Sequence, residues 1–124
     1  MIAEVEGRFV LLKRPGGRMV FPGGFIRWRE YPAEAAQREF REETGLEVRL
    51  LDTTGAYASR GIRVNRVSSL TITFAGEVVG GTLRGGVEGQ PTWLDEFEMR
   101  KLLEGHLGSM LEDYFAYRRR REQS

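Results

Sequence analysis

The chain has 124 residues, with 19 Lys and Arg, 18 Asp and Glu, one His and no Cys. This length fits one domain with a single core, and the formal net charge of +1 points neither toward nor away from nucleic acid. The absence of Cys excludes a disulfide framework, a thiolate metal site and a cysteine nucleophile. No apolar run approaches the roughly 18–20 residues of a membrane span. Met1-Ile2-Ala3-Glu4 lacks a basic segment leading into an apolar core, so no secretory signal is read and the expected location is cytoplasmic.

Ile2 to Val5 and Phe9 to Leu12 read as short strands joined by a tight turn at Glu6-Gly7. Lys13-Arg14 closes the second strand ahead of the Pro15-Gly16-Gly17 loop. Arg14 is either a charged strand end or a phosphate contact, since its planar fork matches phosphate oxygens. Arg18 is a weaker candidate for the same role. Met19 to Phe21 reads as a third strand, leading into Pro22-Gly23-Gly24. Glycines there let the backbone approach a ligand or adopt positive φ.

A helix follows. Pro32 suits its first position and Gly45 suits a left-handed cap after its last turn. Ala35, Ala36, Phe40 and Leu46 form its apolar side. Glu39, Glu42 and Glu43 lie at i, i+3 and i+4 on another face, where like charges repel by about 0.2–0.5 kcal/mol per pair. A hard divalent cation removes that repulsion, because Mg²⁺ takes oxygen ligands from carboxylates and substrate phosphates. The competing reading is a solvated acidic stripe. Glu34 and Arg38 are spaced as an i,i+4 ion pair.

Beyond the helix, residues 47–57 and 66–79 read as strands, with a bend at Ser59-Arg60-Gly61. Leu70, Ile72 and Phe74 alternate with Thr71, Thr73 and Ala75, which predicts one buried sheet face. Arg60, Arg63 and Arg66 form either a solubilising tip or a rim that attracts an anionic substrate. Gly80 to Gly89 is a glycine-rich loop carrying Glu88, followed by Gln90, Pro91 and Trp93. Asp95 and Glu98 form a capping-box pattern for a helix over 95–103. Gly105 to Gly108 is a break in which His106 is a surface or capping residue. Ser109 to Arg121 is a final helix with Met110, Leu111, Tyr114 and Phe115 inward, and Arg118 to Arg121 read as a solvated tail that favours the helix dipole.

The stretch from Gly24 to Leu46 runs Gly24, five residues, Glu30, seven residues, Arg38-Glu39, Phe40, Arg41, Glu42-Glu43, Thr44-Gly45, Leu46. In this it resembles the Nudix box, and Glu88-Gly89-Gln90-Pro91 with Trp93 resembles the loop of MutT-type members. The resemblance implies an α/β fold, the Nudix α-β-α sandwich with a mixed sheet flanked by helices. It implies Mg²⁺ (or Mn²⁺) held by Glu39, Glu42, Glu43 and Glu88 with the Gly23 carbonyl. It makes Glu39 or Glu88 the general base, Arg38 an orienting residue and Arg14 a phosphate contact, and it gives Glu30 a supporting role. Two positions depart from the usual pattern: Arg29 stands where relatives often have Gly, and Tyr31 is a poor helix cap.

The implied activity is Mg²⁺-dependent hydrolysis of a nucleoside diphosphate linked to another moiety, with water attacking phosphorus and positioning and charge neutralisation doing most of the catalysis. The MutT-like loop puts a nucleoside triphosphate first as substrate. An ADP-ribose-type substrate comes next, and a non-catalytic nucleotide- or RNA-binding module is the reading from another class. The expected partner is a nucleotide-like small molecule, with no membrane and no nucleic acid, for a monomer or homodimer.

Overall fold

The structure, a computed structural model, describes residues 1–59, 69–86, 89–105 and 107–123. The N-terminal strands β1 (Ile2–Val5) and β2 (Arg8–Lys13) form the expected hairpin. Glu6 and Gly7 have φ of +50° and +78°, the backbone that a two-residue turn needs to match strand twist. Next come β3 (Met19–Val20), α1 (Pro32–Thr44), β4 (Leu46–Ser59) and β5 (Ser69–Gly81), then β6 (Gln90–Asp95), α2 (Glu96–Lys101), a short 3-10 turn and α3 (Gly108–Glu122).

Among the described residues the strands form one mixed sheet in the order β3-β2-β1-β5-β4, with β6 along the other edge of β2. β1 and β5 are parallel; the other pairs are antiparallel. The sheet is sandwiched as expected. On one face Ile2, Phe9 and Leu11 pack with Leu111, Tyr114 and Phe115 of α3 and Met99 of α2. On the other, Ala3, Val10 and Phe74 pack with Phe40 of α1. Side chains alternate across a strand, so the continuous apolar run Phe9-Val10-Leu11-Leu12 serves both layers, and all four are fully buried.

Three expectations are corrected. Leu70 is 66% exposed, whereas Thr73, Phe74 and Ala75 are buried in succession. Ala75 lies in the α3-side core and Phe74 in the α1-side core, so this stretch of β5 is covered on both faces, while Leu70 lies beyond the part of β5 that β1 pairs. Residues 90–95, to which the sequence reading assigned no strand, form β6. Pro91 argues against a central strand, but this is an edge strand, where a missing N–H is tolerated. Arg118 is not part of a solvated tail. Its guanidinium donates to Glu4 (3.2 Å to Oε2) and to Glu96, and its Cζ lies 4.9 Å from the Phe115 ring centroid. It ties α3 to β1 and α2, beside a 2.9 Å hydrogen bond from the Tyr114 hydroxyl to Glu4.

Candidate active site

The site is assembled from α1 and the loop before it. Pro32 opens the helix and Gly45 ends it at φ +81°, donating its N–H to the Arg41 carbonyl. That position is closed to a side chain, since a Cβ on Gly45 would sit 2.2 Å from the Thr82 carbonyl oxygen. The tight crossing fixes the last turn of α1, which carries Glu42 and Glu43, against the chain leaving β5. At the other end Tyr31 makes no side-chain cap; the Glu34 carboxylate instead accepts the Tyr31 N–H at 3.0 Å. Glu34 is thereby drawn away from Arg38, and the expected i,i+4 ion pair between them does not form.

Arg38 is the hub. It donates to both oxygens of Glu30 (2.7 and 2.9 Å), to Glu39 Oε1 (2.7 Å), to Glu42 Oε2 (3.3 Å) and to the Phe25 carbonyl (3.0 Å). These contacts use every donor direction of a guanidinium. Glu30 also accepts the Arg27 N–H at 2.9 Å. These hydrogen bonds, the one from Arg38 foremost, hold the Glu30 carboxyl at about 2, against its usual 4.5. The Glu30–Arg38 clasp thus fixes the loop to the helix. Arg29 precedes Glu30 with φ +66°. This left-handed backbone is the physical reason a glycine suits the position.

The three helix glutamates are placed differently. Glu39 lies against Gly24, where an added Cβ would fall 2.6 Å from the carboxylate carbon. Glu42 is the most open, half-exposed and paired with Arg38 and with Arg27 at 3.5 Å. Glu43 is only 6% exposed; its Oε1 accepts the Gly23 N–H at 2.9 Å. Glu43 Oε2 is buried and accepts no hydrogen bond among the described residues, while the carboxylate lies within electrostatic range of the buried Met1 amine. A solvated stripe does not describe this face. Among the described residues no three acidic or His side chains are gathered as a ready-made metal cluster; Arg38 bridges Glu39 and Glu42. Hard carboxylate oxygens converging from one helix onto a glycine loop are nevertheless the donor chemistry Mg²⁺ takes.

Arg14 stands at the end of β2, half-buried, and opens a turn in which its N–H donates to the Arg18 carbonyl at 2.9 Å; Arg18 is exposed. Lys13 pairs with Gln90, and a Cβ on Gly86 would lie 3.7 Å from the Glu42 carbonyl oxygen. The segment flanking the Glu88 position therefore runs between the β2 end and the last turn of α1. Glu88 itself, Arg60, Arg63, Arg66 and His106 lie outside the described residues. The sequence reading missed Gly24 as the surface on which Glu39 rests, and Arg27 as a partner of Glu42; the spacing of Arg27 from the helix gave no local signal. On the other face of the sheet, an open cleft of about 360 Å³ is lined by Leu51, Asp52, Tyr117, Arg120 and Arg121, away from the carboxylates.

Residues 1–113 match the family model described as NUDIX domain. The chain belongs to the Nudix family. A curated ADP-ribose pyrophosphatase of Methanocaldococcus jannaschii is 31% identical over 122 residues, covering 94% of this chain and 71% of the relative. Among solved structures, a Nudix hydrolase from Nitrosomonas europaea superposes with a TM-score of 0.77 at 25% identity, covering 93% of this chain and 84% of that one. A MutT protein from Methanosarcina mazei superposes with a TM-score of 0.70 at 25% identity, covering 99% and 91%. The protein is thus a Nudix hydrolase, of a family that generally uses divalent metals.

Proposed function

We propose that this Nudix hydrolase cleaves the diphosphate of a nucleoside diphosphate linked to another moiety, using Mg²⁺ or Mn²⁺, with an ADP-ribose-type compound first among substrates. The observation that carries the reading is the clasp of loop and helix, in which Gly23 holds Glu43, Gly24 backs Glu39, and Arg38 holds Glu39 and Glu42. Glu39, Glu42 and Glu43 would hold the cation, with the Gly23 carbonyl and Glu88 as further ligands. When bound, the cation neutralises charge on the phosphate oxygens and makes water a better nucleophile. Arg38 keeps two of the carboxylates in one orientation, the positioning that phosphoryl chemistry chiefly requires. Glu39 or Glu88 takes the proton from the attacking water. Arg14, with Arg18 beside it, meets the phosphates.

The ADP-ribose assignment is supported by the curated relative, which spans nearly the whole chain. A nucleoside triphosphate substrate is the second reading, supported by Glu88-Gly89-Gln90-Pro91 ahead of Trp93 and by the MutT neighbour. Among the described residues no helix is long and apolar enough to cross a membrane. A substrate panel in Mg²⁺ tests the proposal. ADP-ribose plus water is expected to give AMP and ribose 5-phosphate faster than any nucleoside triphosphate gives its monophosphate and pyrophosphate. Faster triphosphate cleavage selects the second reading; no cleavage of any diphosphate in Mg²⁺ or Mn²⁺ removes both.

A further inference from the structure

The loop between β3 and α1 presents large apolar side chains to solvent beside the charged clasp. Phe25 and Trp28 are each 92% exposed, Tyr31 is 74% exposed and Ile26 53%. Single exposed apolar residues are ordinary; a concentration of them next to a polar site marks a binding surface. The loop is not slack. Arg27 N–H donates to Glu30 Oε1, Glu30 N–H returns to the Arg27 carbonyl at 3.0 Å, and Arg38 holds the Phe25 carbonyl. The aromatic rings are thus held out by a braced turn.

The same braces tie the rings to the acidic face. Arg38 bridges the Phe25 carbonyl to Glu39 and Glu42, and the Arg27 guanidinium reaches Glu42. Phe25 and Trp28 therefore stand on the same braced loop whose arginines reach the carboxylates where the substrate phosphates would sit. Arg27 and Arg29 flank Trp28 in sequence. Exposed aromatics interleaved with arginine suit a ligand that is flat and apolar in one part and anionic in another, because bases stack on aromatic side chains while arginine meets phosphate or adds cation–π attraction. A second copy of the chain suits the loop less well, since a two-fold contact centred on it would gather Arg27 and Arg29 of both copies, like charges, in one interface.

We propose that Trp28, together with Phe25, is the stacking platform for the nucleobase of the substrate. This rests on the nucleotide reading above and extends it to how the base is held. Every base offers a π-face, so the platform separates base-bearing from base-free diphosphates and discriminates weakly among bases.

The test uses AMP and ribose 5-phosphate as probes, so that binding is read without turnover. Trp28 and Trp93 are the chain's two tryptophans, and Trp93 is packed against the α1-side core. AMP and GMP are expected to quench the emission saturably, ribose 5-phosphate is not, and the quench is expected to vanish in Trp28→Leu. By calorimetry the AMP Kd is expected to rise about tenfold in Trp28→Ala, within the range of a lost base–aromatic stack, with melting curves unchanged because the side chain is exposed. Equal AMP Kd in wild type and in both Trp28→Ala and Phe25→Ala overturns the proposal. So does a concentration-dependent dimer abolished by these substitutions with AMP binding unaffected, which gives the surface to a second copy. No AMP binding at millimolar concentration also overturns it; wild-type cleavage of ADP-ribose, measured separately, then shows whether the proposed function stands.

Discussion

Replacing Gly24 by Ala tests the fine placement of the site. The Gly24 backbone is not in the left-handed region, so Ala is tolerated there, and the three atoms nearest its Cβ all belong to the Glu39 side chain, the carboxylate carbon at 2.6 Å. Ordinary carbon–carbon contact is at roughly 3.5 Å, so the carboxylate must retreat by about 1 Å. The Glu39 side chain is flexible and can do so while the helix stays in place. Stability changes little: Gly→Ala contributes about 0.4–1 kcal/mol through the unfolded state, offset by a weakened Glu39–Arg38 contact, which leaves Tm within about 4 °C of wild type. Misplacement of a reacting group by about 1 Å costs on the order of 10²-fold in rate, so kcat is expected to fall by that factor. The assay pairs thermal unfolding by circular dichroism with steady-state kinetics in saturating Mg²⁺. A folded Gly24→Ala protein that keeps kcat within about threefold of wild type would refute the placement of Glu39 in the chemistry.

Arg38→Lys keeps the charge but loses the fork that spans Glu30, Glu39, Glu42 and the Phe25 carbonyl; kcat should fall about 10- to 100-fold, the scale for lost supporting contacts, and a wild-type rate would show that the hub is dispensable. The carboxyl of Glu30 is depressed from 4.5 to about 2 in the folded protein, so its contribution to stability is complete above pH 4.5 and fades as pH falls toward 2. Urea midpoints followed across that window should drop less steeply in Glu30→Gln than in wild type, and parallel profiles would contradict the assignment. Arg29→Gly relieves a left-handed backbone worth about 1–2 kcal/mol, partly offset by the roughly 0.5–1 kcal/mol entropic cost of glycine. Tm should therefore rise by a few degrees, and a fall would show that the Arg29 side chain stabilises the loop.

Features encoded by local sequence were readable in advance. Glu6-Gly7, Pro32, Gly45 and the Asp95–Glu98 cap act within a few residues of themselves, and each takes the expected conformation. The Nudix spacing placed Glu30, Arg38 and the helix glutamates on a loop and helix that close on each other. Features set by distant partners were not readable. The buried stretch of β5 depends on where the α1-side and α3-side cores cover it, which alternation around Leu70 cannot express. Arg118 looks like a tail residue until Glu4, 114 positions away, is brought beneath it. The unequal burial of Glu39, Glu42 and Glu43 follows from Gly23 and Gly24 meeting the helix, a contact that helical spacing alone does not contain.

The central claim is that the glutamates of α1 hold the divalent cation. Titration of Mn²⁺ followed by electron paramagnetic resonance of the free ion measures this without reference to any substrate. Wild type is expected to remove Mn²⁺ from solution saturably, and Glu39→Gln and Glu43→Gln are each expected to bind at least tenfold more weakly while remaining folded. Unchanged Mn²⁺ affinity in both folded variants would contradict the account.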